Sequence, residues 1–152
     1  FIFGIAVFIT GKSEIFQIWF DPNIQLSITQ EATYDDYKSD DFKVIEKDNI
    51  KVKKIAGIDS PMKIFSEGIE INSYEISNKG QLNLKLKNDS VYSYFILEGE
   101  AKIEKIIANE GDFIIISDCN NLSFSVNSMT KIFEIKSPLR PSYATYSERF
   151  MN

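Results

Sequence analysis

Apolar and polar residues alternate with a period of two through much of this chain, the pattern of strands that bury one face and wet the other. The clearest case is Gln81-Leu82-Asn83-Leu84-Lys85-Leu86-Lys87, in which Leu82, Leu84 and Leu86 share a face. Leu122-Ser123-Phe124-Ser125-Val126-Asn127 repeats the pattern, with Leu122, Phe124 and Val126 pointing inward. Further strand-like runs cover Phe42 to Ile45, Ile50 to Ile55, Lys63 to Phe65, Ile69 to Ile76, Tyr92 to Ile103, Gly111 to Ser117 and Ile132 to Ile135. Many short strands at close spacing, broken by Gly, Asn and Asp, predict an all-β sandwich or jelly-roll barrel.

The two ends of the chain read differently. Phe1 to Thr10 is the most apolar stretch, but it is too short to span a bilayer and has no basic flank, so it predicts a buried strand. A turn at Gly11-Lys12-Ser13 leads into Glu14-Ile15-Phe16-Gln17-Ile18-Trp19-Phe20, which the turn formers Asp21-Pro22-Asn23 close, making a hairpin. From Ile24 to Asp41 neither period survives, and the segment reads as an acidic connection over the surface; it lacks the spacing of a calcium loop. The last ten residues predict one or two helical turns, with Tyr143, Tyr146 and Phe150 docking on the barrel.

Composition narrows the chemistry. Twelve Phe and seven Tyr among 152 residues favour pleated, half-buried surfaces. A net charge of −5 argues against nucleic-acid binding, which needs Lys and Arg concentrated on one face. The chain contains no histidine, which excludes histidine-ligated metal chemistry and histidine acid–base catalysis. The single cysteine, Cys119, excludes an intrachain disulfide and fits a reducing, cytoplasmic setting; it reads as a small strand-end residue. No Ser-x-x-Lys arrangement stands where it would activate a nucleophile. Asp112 reads as turn chemistry after Gly111, and Trp19 as a core or interdomain anchor.

Two sets of residues carry a family resemblance. Tyr94-Phe95-Ile96-Leu97-Glu98-Gly99-Glu100-Ala101-Lys102-Ile103 and Glu110-Gly111-Asp112-Phe113-Ile114-Ile115-Ile116-Ser117 resemble the core of a cupin, an antiparallel jelly-roll β-barrel. Glu14 to Pro22, together with Tyr34-Asp35-Asp36-Tyr37, resembles the pirin-like, quercetin 2,3-dioxygenase-like bicupins. The resemblance implies that residues 1–22 are a hairpin from the end of an N-terminal cupin unit, 23–55 a linker and first strands, 56–137 a C-terminal cupin barrel and 138–152 a tail.

It also implies where a metal site would stand. The spacing Gly80, Leu86, Asn88, Tyr92, Gly99 keeps the register of the cupin ligand motif, and Leu122 stands at the interval of the later histidine. Val7 and Ile9 occupy the positions of a late histidine and glutamate of the family's iron site. Leucine has no lone pair to offer iron, so these positions describe a pocket lined by Leu86, Asn88, Tyr92 and Leu122 and filled by hydrocarbon, with no cofactor expected. The expectation is a non-catalytic interaction or remnant domain, with two alternatives: an iron dioxygenase of the quercetin 2,3-dioxygenase type completed by a separate N-terminal half, and a small-molecule sensor using the barrel interior. Exposed edges on the N-terminal hairpin predict a homodimer through it, with no nucleic-acid or membrane partner.

Overall fold

The computed structural model describes residues 7–10, 13–32 and 34–149. Twelve strands follow one another: β1 (Val7–Thr10), β2 (Ser13–Phe16), β3 (Val44–Lys47), β4 (Ile50–Ala56), β5 (Glu70–Ile76), β6 (Gly80–Lys85), β7 (Ser90–Glu98), β8 (Glu100–Ile103), β9 (Ile106–Asn109), β10 (Phe113–Ile116), β11 (Asn121–Val126) and β12 (Thr130–Pro138). They form a six-stranded sheet in the order β10-β7-β12-β5-β4-β3, a four-stranded sheet in the order β6-β11-β8-β9, and the separate pair β1-β2. All the pairings are antiparallel.

The period-two pattern explains how the sheets meet. Leu82 and Leu86 from one side of β6 and Leu122, Phe124 and Val126 from one side of β11 are buried, as the alternation requires. They share a single core with Tyr74 and Ile76 of β5, Tyr92, Tyr94 and Ile96 of β7, and Ile132 of β12, so the two larger sheets close over one interior. Tyr94 and Phe124 meet across it edge to face, ring centroids 5.0 Å apart. A second cluster, built on Ala56, Ile69, Ile71 and Ile135, lies on the opposite face of the six-stranded sheet, where Ile18 and Phe20 cover it.

The first strands expected between Phe42 and Ile55 are β3 and β4, and they pair into the six-stranded sheet. Several other expectations are corrected. Lys63 to Phe65 forms no strand; Met62 and Ile64 pack on the second cluster from an irregular loop. The expected run from Tyr92 to Ile103 is split into β7 and β8 at Gly99, whose φ of +84° reverses the chain. Strand β9 was missing from the sequence reading, because the turn joining it to β8 uses Glu104 at φ +51° in place of a glycine. Trp19 is 63% exposed and so is no core anchor; its neighbours Ile18 and Phe20 do the covering.

The ends of the chain converge on Asp21. Its backbone carbonyl accepts hydrogen bonds from Ser66 Oγ (3.0 Å) and Tyr143 Oη (2.9 Å), and its carboxylate accepts one from the Tyr146 amide (2.5 Å). The expected helical turn of the tail is present at Tyr146–Arg149, and Tyr143 docks as anticipated, whereas Tyr146 stays 53% exposed. Phe150 lies outside the described residues.

Candidate functional site

The positions marked by motif spacing cluster at one end of the interior. Leu86 follows the end of β6, with its amide donating to the Asn120 carbonyl (2.8 Å), and Leu122 opens β11 beside it. Both are buried in the same core as Tyr92. The Tyr92 hydroxyl oxygen accepts a hydrogen bond from the Lys87 amide (2.9 Å), which ties the ring to the β6–β7 turn. Asn88 is not part of this group; it sits exposed in that same turn, because two residues beyond the last inward position the chain has already left the sheet. Val7 and Ile9 lie in β1, opposite Phe16 and Glu14.

These side chains do not fit an iron ion. Leu86 and Leu122 offer no donor atom, and the one phenol among them is engaged by backbone. Among the described residues no group of three or more Cys, Asp or Glu side chains is placed to hold a metal.

The interior is nonetheless not all hydrocarbon, and here the sequence reading missed its most polar feature. Strand β12 alternates Ile132 inward, Phe133 outward, Glu134 inward and Ile135 outward, so Glu134 enters the core between two isoleucines at 4% exposure. Its neighbours across the ladders are Asn72 of β5 and Tyr94 of β7. Glu134 Oε1 accepts hydrogen bonds from Asn72 Nδ2 (2.7 Å) and from the Tyr74 hydroxyl (3.0 Å). The Tyr94 hydroxyl, fully buried, has no hydrogen-bond partner among the described residues. One step further along the same face of β12, Lys136 pairs with Glu70 of β5.

Burial, and then the charge of Glu134, push the Tyr74 and Tyr94 hydroxyls well above the ordinary tyrosine range, so both stay protonated, and that of Tyr74 donates to Glu134. Tyr94 stacks on Tyr92 at 6.5 Å, with the planes within 9°. The cluster is therefore a carboxyl group facing phenols and accepting hydrogen bonds, but walled in by packed rings. Only the inward register of Glu134 could have revealed it, and a reading of Ile132 to Ile135 as one apolar strand hides that register.

Nucleophilic chemistry finds no support elsewhere. Cys119 Sγ, half-buried between β10 and β11, donates to the Asn121 carbonyl (3.0 Å). Ser128 and Lys131 have the Ser-x-x-Lys spacing, but Lys131 Nζ is held by Glu98 Oε2 at 2.8 Å, which raises its pKa and keeps it charged, so it cannot serve as a base.

The architecture is the all-β jelly roll of a cupin. It is similar to quercetin 2,3-dioxygenase from Acinetobacter baumannii, at a TM-score of 0.61 and 16% identity over 66% of this chain and 38% of that one. A second structure of that enzyme aligns at a TM-score of 0.57, again with 16% identity, over 64% of this chain and 34% of that one. The Cupin_2 domain of an XRE family transcriptional regulator from Enterobacter cloacae aligns over its whole length and 61% of this chain, at a TM-score of 0.50 and 9% identity. The chain thus spans less than two-fifths of the dioxygenase it resembles, and at these identities the likeness is one of fold. No family model matches the sequence, and no curated protein matches it. Among the described residues no helix is long and apolar enough to cross a membrane.

Proposed function

We propose that this chain is a non-catalytic cupin domain serving as an interaction module. One observation carries the reading: where this fold presents metal ligands, Leu86 and Leu122 are 8% and 7% exposed in an apolar core with Tyr92. A cation brought there would lose its hydration and gain no charged or lone-pair partner, which costs several kcal/mol. The test is to load the full chain with ferrous ion without oxygen, remove free metal and measure bound iron and flavonol-dependent oxygen uptake. Iron far below one per chain and no uptake are expected; one tightly held iron per chain refutes the proposal.

The partner we propose is a second copy, joined through the β1–β2 hairpin. In support, this hairpin is a two-stranded sheet hydrogen-bonded to neither of the larger sheets, and such a pair is marginal without further cover. Trp19, just beyond it, is 63% exposed. Sedimentation at micromolar concentration is expected to give a dimer, and a monomer there rejects this partner.

A second reading, a small-molecule-binding cupin, is favoured by the buried, unpartnered hydroxyl of Tyr94 beside Glu134. Saturable binding of a planar phenolic compound that shifts the Tyr92 and Tyr94 ring resonances would support it, and no shift at millimolar ligand would dismiss it.

A further inference from the structure

We infer that the outer face of the four-stranded sheet is a binding trough for an acidic oligosaccharide, a polyhydroxylated chain bearing carboxylates. Three observations carry this.

The first is shape. Strand β11 lies between β6 and β8 and turns Ser123 and Ser125 outward, among the shortest polar side chains available. The flanking strands raise longer side chains beside them: Gln81 opposite Ser125 and Asn83 opposite Ser123 on β6, and Lys102 opposite Ser125 on β8. Short residues on the middle strand and long ones on its neighbours make a groove, and the cavity of about 870 Å³ that includes it also reaches the core-packed side chains Leu84, Ile103, Ile116, Cys119 and Leu122.

The second is chemistry. Every outward position of β6 and β11 within the groove is an amide, a hydroxyl or a lysine: Gln81, Asn83, Lys85, Asn121, Ser123 and Ser125. Amides and hydroxyls both donate and accept, which suits ligand hydroxyls that do the same. Gln81 Nε2 already donates to Ser123 Oγ across the strands (2.7 Å), so this surface is partly ordered before a ligand arrives.

The third is charge. Some lysines elsewhere on the sheets pair with carboxylates, as in Lys51 with Glu75 and Lys131 with Glu98, whereas Lys53 and Lys54 stand opposite Ser73 and Asn72. Lys85 and Lys102 likewise face Asn121 and Ser125 and join no ion pair among the described residues, in a chain whose net charge is −5. They stand opposite β11 positions four residues apart, about 13 Å along the strand at about 3.3 Å per residue, so one small anion cannot meet both. Glu104 lines the groove as well and bars a third acidic group from its surroundings while accepting from a hydroxyl.

The test is calorimetric titration of the full chain with oligogalacturonate, alongside a neutral cello-oligosaccharide of equal length and inorganic sulfate. Saturable binding of the acidic oligosaccharide is expected, weakened by salt, with sulfate failing to displace it at equal charge. The double variant Lys85→Ala, Lys102→Ala should keep its circular dichroism and bind about tenfold more weakly. Ser123→Tyr, which fills the trough, should abolish binding in a folded protein. No saturable binding at millimolar ligand, displacement by sulfate, equal binding of the neutral chain, or affinity unchanged in these variants would overturn the inference.

Discussion

Gly99 and Gly111 look alike in the sequence, each marking a tight turn, yet the structure assigns them very different costs on substitution. Both have positive φ, +84° and +88°. An alanine at either must adopt a left-handed backbone, which costs about 1–2 kcal/mol. At Gly111 that is all, because an added Cβ meets nothing within 4 Å. At Gly99 the Cβ would lie 2.5 Å from the Met129 carbonyl oxygen, 2.9 Å from Thr130 Oγ1 and 3.2 Å from Thr130 Cα. The first and last of these are backbone, so no rotamer change relieves the overlap.

Thr130 begins β12, is fully buried, and places its hydroxyl within hydrogen-bond distance of the Glu100 and Ser128 carbonyls (3.2 and 3.1 Å). Moving it away strains the start of the strand that carries Glu134 and strands a buried hydroxyl, worth a further 1–3 kcal/mol or so. Gly99→Ala should therefore cost about 3–4 kcal/mol and Gly111→Ala about 1–2. For a chain of this length the difference lowers Tm by about 4–8 °C more in the first variant. Urea unfolding followed by circular dichroism measures both. Equal losses within about 0.5 kcal/mol would show that the close approach at Gly99 does not govern the cost.

Three other outcomes are expected. In a double-mutant cycle, Tyr74→Phe and Glu134→Leu should be non-additive by about 1–2 kcal/mol, because each leaves the other's hydrogen-bonding group stranded; additive losses in urea titrations would break the assigned bond. In an alkaline titration followed at the phenolate absorbance, the two phenols whose pKa burial raises, Tyr74 and Tyr94, should appear only on unfolding. Their folded pKa lies above the unfolded one, so the stability they contribute is complete below about pH 10 and falls as pH rises beyond it; seven phenolates in a still-folded protein would contradict this. Hydrogen bonds from the Ser142 hydroxyl and amide hold the Glu67 carboxyl below its ordinary range, so this contact is fully present above about pH 4.3 and is lost as pH falls through the lower folded value. Protection of the Ser142 amide, taken against its intrinsic exchange rate at each pH, should fall on acidification and already be low in Glu67→Gln at neutral pH, and equal protection in both proteins would count against it.

The architecture was legible because alternation is a local property: Leu82 and Leu86, or Leu122, Phe124 and Val126, declare their shared face within six or seven residues. The spacing of Leu86, Tyr92 and Leu122 was equally legible, and the three lie in one core. Asn88 broke that register because a turn, unlike a strand, does not carry a period forward. Strand β9 stayed hidden because a positive φ at Glu104 is imposed by the pairing on either side of it and not by the residue itself.

What only the tertiary structure decided is which side of β12 faces in and what gathers there. A one-residue change in where that strand's alternation begins would send Glu134 into the second apolar cluster and Phe133 into the barrel core. Its inward register comes from pairing with β5 and β7, strands far earlier in the chain, which set Asn72, Tyr74 and Tyr94 around one carboxyl group. The trough on β6, β11 and β8 has the same origin. Serines on one strand become the floor of a groove only when longer side chains from two others stand beside them, and no local pattern states which strands become neighbours.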